Sequence, residues 1–224
     1  MRVGQALEIA TYRALVAAHP RGCFGRFLNL DAHDDSQLYS KEEPPSHIGS
    51  NAIPDDRLVD FLLMVAGDWA GIECKNIREW LYSDRPELVA LADKCLHLDC
   101  VPVLIARRIH PSVFFVFNRC GFILHQTYNQ MVPLADEALA TKARDKNLMA
   151  YFDIRLGNQP DGRLTKFIGT NLPIVMPGAR ERFDEHKDLL TAYCREGMAY
   201  DEFAARVRRR AAGQNEDGDW GPVE

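Results

Sequence analysis

The chain has 224 residues, of which 46% are hydrophobic and 9% aromatic, enough for one globular unit with a buried core. Its net charge of −5 excludes strong non-specific binding to nucleic acid by overall charge. A local basic face, or a metal that cancels acidic residues, could still allow the chain to bind DNA. No apolar run reaches the roughly 20 residues of a membrane span, and Glu8 interrupts the apolar N-terminus, which makes a poor signal peptide. We therefore expect a cytoplasmic protein that does not bind membranes.

Hydrophobic periodicity predicts the order α, β, β, β, α, β, α, β over the first 132 residues. The predicted elements are a helix at 4–18, a strand at 23–32, a long acidic loop at 31–56, strands at 57–65 and 70–76, a helix at 85–98, a buried strand at 101–108, a short helix at 110–121 and a last strand at 122–132. This order is typical of an α/β sandwich with a central mixed sheet.

The rest of the chain carries weaker signals. Residues 134–157 are predicted to be mostly helical, 160–178 are rich in turn residues, and 179–212 form one or two helices. We therefore divide the chain into a core at 1–133 with the acidic insertion 31–56, a mostly helical C-terminal extension at 134–212, and a disordered tail at 213–224.

The six cysteines form no CxxC pair. Cys95, His97 and Cys100 lie close in sequence, but a structural zinc site needs four ligands with recognisable spacing, and no second pair lies nearby. We interpret this segment as a helix end that leads into a buried strand.

Asp60 lies within an apolar strand, where an isolated charge is costly unless it is paired or coordinated. A hairpin turn at residues 67–68 places Asp60 opposite Lys75, whereas a turn at 66–67 places it opposite Glu73. In both registers the three side chains share one face of the hairpin. The pair at 67–68 suits a type II′ turn, which favours the pairing with Lys75.

These residue types suit divalent metal chemistry. Mg²⁺ prefers oxygen ligands, and Cβ atoms about 5 Å apart allow the carboxylates of Asp60 and Glu73 to share one ion. Such an ion polarises a phosphoryl group and acidifies a water, while Lys75 can orient that water or help to deprotonate it, and balances charge in the transition state. The peptide oxygen of Cys74 could supply a third protein ligand.

Twelve residues separate Asp60 from the tripeptide Glu73-Cys74-Lys75. This arrangement is similar to the D…ExK signature of the PD-(D/E)XK nuclease superfamily. The predicted element order resembles its restriction-endonuclease-like αβββαβ core. The segment PVLIAR at 102–107 resembles the fourth strand of Holliday-junction-resolvase-like and Mrr-like members. The resemblance covers residues 4–132.

The resemblance implies hydrolysis of phosphodiester bonds in DNA, dependent on Mg²⁺ or Mn²⁺. It implies that Asp60 and Glu73 are metal ligands and that Lys75 is the catalytic lysine. Such families often carry an acidic residue on the first helix, and Glu8 occupies that place. Asp55, within the literal Pro-Asp pair, is kept as a reserve ligand.

Three further residues are candidate substrate contacts. The amide of Asn76 could hold Glu73 or a phosphate, and Gln126 and Tyr128 lie on the predicted last strand. The helix after Lys75 lacks the Gln-x-x-x-Tyr pattern of the exonuclease branch, so we expect an endonuclease.

We therefore expect a DNA endonuclease that works in repair, recombination or a restriction or anti-phage system, as a homodimer or as a subunit of a larger complex. The alternative is a non-catalytic nuclease-fold scaffold or DNA-binding subunit, which the acidic loop and the modest basic content favour. The sequence has no P-loop, nucleophile elbow or dinucleotide fingerprint, so ATP use within this chain is not expected.

Overall fold

The computed structural model describes residues 2–19, 22–28, 30, 38–83 and 85–216. These residues form an α/β fold in which helices cover both faces of a central mixed sheet, as the sequence predicts. The strands are β1 (Cys23–Phe24), β2 (Arg26–Phe27), β3 (Lys41–Glu42), β4 (His47–Ile48), β5 (Asn51–Ala52), β6 (Phe61–Val65), β7 (Asp68–Lys75), β8 (Val101–Ala106), β9 (Ile123–Gln126), β10 (Gln130–Val132) and β11 (Ile154–Leu156). The α-helices are α1 (Arg2–Ala18), α2 (Pro86–Leu98), α3 (Pro111–Arg119), α4 (Glu137–Arg144), α5 (Gly162–Lys166), α6 (Leu172–Glu185), α7 (Lys187–Arg195) and α8 (Tyr200–Ala211).

The central sheet has the strand order β1-β6-β7-β8-β9. The pairs β1–β6 and β6–β7 are antiparallel, while β7–β8 and β8–β9 are parallel and are connected through α2 and α3. All six residues of β8 are buried, as its continuous apolar sequence predicts. None of the helices in the described ranges is long and apolar enough to cross a membrane.

The register of the β6–β7 hairpin differs from the favoured prediction. Val65 pairs with Asp68, so the turn is Ala66-Gly67, and both turn residues have positive φ, at 52° and 91°. Two positive φ angles are typical of a type I′ turn. The predicted pairing of Asp60 with Lys75 is therefore wrong. The paired residues follow the alternative turn but end at Phe61 and Ile72, so Asp60 and Glu73 are not themselves paired.

Asp60 directly precedes β6, because the strand predicted at 57–65 begins only at Phe61. The peptide N–H of Asp60 still donates to the Ile72 oxygen at 2.9 Å. The strand predicted at 23–32 is broken at Gly25, where φ is 94° and an added Cβ would lie 2.5 Å from the Asp60 peptide oxygen. Only glycine fits this close backbone approach, which brings residue 25 against the peptide of Asp60 just before β6 begins.

The two sheet faces carry separate cores. Phe61, Leu63 and Ile72 pack on one face with residues of α1, the π-helical segment Phe167–Asn171 and α6. Leu62 and Leu104 pack on the other face with residues of α2, α3, α7 and α8. The C-terminal helices thus contribute to both cores.

The segment 160–178 is helical from Gly162 onward, so its predicted turn-rich structure is wrong. Its apolar residues recur at helical spacing and share one core with residues of α1, and Pro173 stands in the first turn of α6, where a proline is tolerated. These buried residues are Leu164, Phe167, Ile168, Leu172 and Met176.

The last predicted strand, 122–132, is divided at Tyr128, whose φ is 60°. Its second half, β10, pairs in parallel with β11, so the largely helical prediction for 134–157 holds only for α4 and the 3-10 turn Leu134–Asp136. The predicted acidic loop includes β3, β4 and β5. Its residues 31–37, and residues 217–224 of the predicted tail, lie outside the described residues.

Candidate active site at the end of the β6–β7 hairpin

A cleft of about 1160 Å³ opens at the carboxyl end of β7. Its walls come from α1, the segment 38–43, the segment 56–60, the end of β7 and α2. Asp60, Glu73, Lys75 and Glu8 all line it, as does Cys74. The structure therefore brings the predicted catalytic residues to one cavity.

Glu73 lies between two lysines. It is 6% exposed, and Lys75 donates to Oε1 at 2.7 Å while Lys94 of α2 donates to Oε2 at 3.0 Å. Lys94 also donates to the Leu58 oxygen at 2.7 Å. Both carboxylate oxygens are thus paired, which makes it possible to bury this charge.

Asp60 is held at the strand end by the backbone of β7. Its Oδ2 atom accepts the N–H of Cys74 at 2.6 Å. Burial and the negative charges of Glu73 and Glu8 raise the pKa of the Asp60 carboxyl to about 7, against smaller opposing effects of Lys41 and the Cys74 N–H. Three carboxylates therefore repel one another in this cleft, as they do where a cation is to be bound.

Among the described residues, Lys41 is the cation that contacts Glu8 and Asp60. Its Nζ atom lies 3.3 Å from Glu8, 3.3 Å from Glu43 and 3.7 Å from Asp60. It also lies over the Phe61 ring, 5.1 Å from the centroid. Burial lowers the pKa of Lys41, but the three carboxylates outweigh it and the pKa is raised, so the ammonium is charged.

Gln5 fixes the segment that carries Lys41. Its Nε2 donates to the Tyr39 oxygen at 3.0 Å, and its Oε1 accepts the Tyr39 N–H at 2.9 Å. Gln5 and Glu8 are three residues apart on α1, so they lie on one side of the helix. The helix therefore positions both the carboxylate of Glu8 and the lysine that pairs with it.

The side chains of Cys74 and Asn76 are engaged within the fold. The Cys74 thiol donates to Thr11 at 3.4 Å, and burial raises the thiol pKa well above its usual value. The Asn76 amide donates to the Val3 and Met131 oxygens and accepts the Met131 N–H at 3.0 Å. The predicted contact of this amide with Glu73 or a phosphate is not seen, whereas the peptide oxygen of Cys74 as a metal ligand stays a prediction.

Gln126, Tyr128 and Asp55 are not among the residues that line the cleft. The Oε1 atom of Gln126 accepts the Ile109 N–H at 3.0 Å. Tyr128 is exposed on a neighbouring surface, and Asp55 forms an exposed ion pair with Arg57 at 2.6 Å. Asp55 is therefore poorly placed to replace Asp60.

Sequence reasoning did not identify Lys94, Lys41 or Glu43 as site residues. Lys94 could have been found, because it follows Leu91 by three residues on the buried side of α2. A lysine on an apolar helix face indicates a buried partner. Lys41 and Glu43 carry no comparable signal, since they lie in an acidic segment without a clear period.

Acidic groups predominate along the cleft. Seven carboxylates and four cationic side chains line its described walls: Glu8, Glu43, Asp56, Asp60, Glu73, Glu79 and Glu87 against Lys41, Arg57, Lys75 and Lys94. A polyanion meets net repulsion here unless further positive charge is present.

The donor chemistry of the cleft suits a hard divalent cation, because carboxylates are the ligands that Mg²⁺ and Mn²⁺ prefer. Within the described ranges, however, no three Asp, Glu, His or Cys side chains are close enough to hold one ion. Lysine ammonium groups contact Asp60 and Glu73 instead. Metal binding to these carboxylates therefore requires that they exchange an ammonium contact for the ion.

Comparison with known proteins identifies no relative, since no family model, curated protein or solved structure matches the chain.

Proposed function

We propose that the protein is an endonuclease that hydrolyses phosphodiester bonds in DNA with Mg²⁺ or Mn²⁺. The observation that carries this proposal is the meeting of Asp60, Glu73, Lys75 and Glu8 in one cleft at the end of one hairpin. The element order α1, β1, β6, β7, α2, β8 and the mixed sheet support the restriction-endonuclease-like core that the sequence resembles.

The bound ion would supply Lewis-acid stabilisation of the charge that develops on the phosphate. Asp60 and Glu73 would hold it, because their oxygens face the same cavity. Asp60 is positioned by the Cys74 N–H, and Glu73 by Lys94 from the opposite side. Ordered ligands of this kind keep the reacting groups aligned.

Lys75 acts in this scheme as a cation. Burial lowers its pKa, but Glu73 and Asp60 outweigh this effect, so the pKa is raised and the side chain stays protonated at neutral pH. A protonated lysine stabilises negative charge and donates a hydrogen bond, whereas a general base must be deprotonated. The predicted role in orienting water and balancing charge fits this state better than deprotonation does.

The proposal is tested by incubating supercoiled, linear and branched DNA with the protein in Mg²⁺, Mn²⁺ or EDTA. We expect cleavage only with metal. Lys75→Ala and Glu73→Gln should each reduce the rate by a factor of about 100 or more, since both remove groups that act on the transition state.

Lys187→Ala is the matched control, because Lys187 also forms ion pairs but lies outside the cleft. Circular dichroism of each variant checks the fold. If Lys75→Ala cleaves DNA as fast as the wild type, the proposed mechanism is wrong.

A second candidate function is a non-catalytic scaffold or DNA-binding subunit with a nuclease-like fold. The pairing of Asp60 and Glu73 with lysines favours it, because these contacts balance the carboxylates without metal. Such a protein would form a defined assembly, as light scattering measures, and would not cleave DNA with either metal. The homodimeric state, the larger complex, the cytoplasmic location and the cellular pathway stay predictions.

A further inference from the structure

Three aromatic side chains, a histidine and two arginines form a row along a surface beside the cleft. Each contacts the next, and we call this row the stacking ribbon: Tyr82, His110, Trp80, Arg108, Tyr128 and Arg163.

The contacts along the ribbon are those of rings and planar guanidinium groups. The ring centroids of Tyr82 and His110 are 4.9 Å apart, and those of His110 and Trp80 are 6.2 Å apart. The guanidinium carbon of Arg108 lies 5.2 Å from the Trp80 centroid and 5.7 Å from that of Tyr128, and the guanidinium carbon of Arg163 lies 5.5 Å from the Tyr128 centroid. Tyr128 is 42% exposed, so its ring remains accessible.

The sheet places this ribbon next to the cleft. Lys75 pairs with Ala106, and Ala106 pairs with Gln126, so the three residues form one row across the carboxyl ends of β7, β8 and β9. Neighbouring strands are about 4.8 Å apart, which separates Lys75 from Gln126 by roughly 10 Å. Tyr128 lies two residues beyond that row, and its N–H donates to the Arg107 oxygen at 3.1 Å.

The two arginines of the ribbon have no carboxylate partner among the described residues. In the described part of the chain neither Arg108 nor Arg163 forms an ion pair, whereas Arg78 and Arg107 nearby both pair with Asp153. Asp161, the acid nearest to Arg163 in sequence, pairs with Arg155 at 3.2 Å. Arg108 and Arg163 are therefore available to bind phosphate, and their planar groups can also stack on bases.

We infer that the stacking ribbon binds single-stranded DNA, with unpaired bases stacked against Tyr128 and Trp80 and phosphates bound by Arg108 and Arg163. A duplex buries its base faces within the helix, so only an unpaired strand presents them to such a row. The inference rests on the proposed function for its choice of DNA. It assigns that function a substrate class, DNA with a single-stranded segment next to the scissile bond.

The binding is measured by fluorescence anisotropy in EDTA, so that cleavage does not contribute. The probes are a labelled oligo(dT) of about 20 nucleotides and a duplex of the same length. We expect the oligo(dT) to bind at least about tenfold more tightly than the duplex, since only its unpaired bases can stack on the aromatic side chains.

Tyr128→Asn should weaken oligo(dT) binding by about tenfold, because it removes the ring while asparagine accepts the positive φ. Tyr128→Phe should retain the affinity, and Arg108→Gln should weaken it. The control pair is Phe115 and Arg119 of α3, which make the same kind of contact at 4.0 Å, with Phe115 50% exposed. Phe115→Ala and Arg119→Gln should not change binding.

Equal affinity for duplex and single strand, or unchanged binding by Tyr128→Asn, overturns the inference. Tighter binding of oligo(rU) than of oligo(dT) overturns the assignment to DNA. If oligo(dT) binds as expected but no DNA is cleaved with either metal, the proposed nuclease activity is wrong, whereas DNA binding by the stacking ribbon stands. Cleavage without a single-strand preference counts against the ribbon alone.

Discussion

At the scale of single residues, the two lysines that bind Glu73 differ in burial and in their second contact. Lys94 is 7% exposed and also donates to the Leu58 oxygen, whereas the Lys75 side chain is 25% exposed and faces the cleft. A buried ion pair that loses one partner leaves an uncompensated charge. The same chemical group is therefore buried in the fold at one position and faces the cleft at the other.

We expect Lys94→Met to lower the free energy of unfolding by about 2–4 kcal/mol, because it leaves both Glu73 and the Leu58 oxygen short of a partner. Lys75→Met should cost under about 1 kcal/mol, as more exposed pairs do. Urea denaturation of both variants measures the difference. Equal losses for the two variants would contradict the separate roles.

His125 gives the fold an acid sensitivity of its own. Its ring stacks on Phe167 with centroids 4.3 Å apart, and its Nε2 atom has no hydrogen-bond partner among the described residues. Burial and the positive charge of Arg163 lower the pKa of His125 to about 4, despite the nearby carboxylate of Asp161. The folded protein therefore keeps this ring neutral at a pH where the unfolded chain protonates it.

Because the unfolded chain binds this proton at a pH near 6.5 and the folded protein only near 4, stability is lost as the pH falls through that window. His125→Phe retains a ring to stack on Phe167 and cannot be protonated. We compare the free energy of unfolding of this variant with that of the wild type. We expect the advantage of the variant to be about 2 kcal/mol larger at pH 4.5 than at pH 7.5. Urea denaturation at both pH values tests this, with the exposed His47→Gln as control; a difference that is the same at both pH values contradicts it.

At the scale of elements, the turn between β6 and β7 sets the register of the hairpin at whose open end Asp60 and Glu73 line the cleft. Ala66 and Gly67 both have positive φ, which costs energy at alanine but not at glycine. A one-residue slip of the hairpin would move Glu73 and Lys75 to the opposite face of the sheet. Stability and site geometry therefore depend on the same two residues.

We expect Ala66→Asn to raise the free energy of unfolding by about 0.5–1 kcal/mol, since Asn-Gly is the preferred type I′ pair. Gly67→Ala should lower it by about 1 kcal/mol through backbone strain alone, because an added Cβ meets no atom within 4 Å. Thermal denaturation measures both changes. A loss of stability in Ala66→Asn, or a gain in Gly67→Ala, would contradict the type I′ turn.

The sequence predicts much of this element structure, because its strongest signals are local. The apolar run of β8 and the helix that begins at Pro86 are confirmed, and Asp60, Glu73 and Lys75 line one cleft. The register was missed because an alanine seldom takes positive φ. The contacts of Lys41 with Glu8 and Asp60 join distant parts of the chain, which no local period reveals.

At the scale of the whole molecule, charge is separated between two adjoining surfaces. The cleft is rich in carboxylates, while the two arginines of the stacking ribbon have no carboxylate partner in the ranges that the structure describes. A nucleic acid held by the ribbon would meet an acidic cavity, whose repulsion a divalent ion reduces. Metal binding and the approach of a phosphate to the cleft are therefore expected to strengthen each other.

We expect Mg²⁺ or Mn²⁺ at pH 8 to raise the melting temperature by several degrees at concentrations well above the dissociation constant, because the ion binds only the folded cleft. Glu73→Gln should abolish the shift. Glu181→Gln, at an exposed position of α6, should retain it. A shift of the same size in Glu73→Gln would place the ion elsewhere.

The link from Gln5 through Tyr39 to Lys41 has a consequence for the order of assembly. Lys41 supplies a built-in counterion for Glu8 and Asp60, so these acids can come together while the chain folds. In a zinc finger, by contrast, the ion itself drives folding. Here a metal would enter a finished site by cation exchange, and the newly made protein would be fully folded yet inactive until the ion arrives.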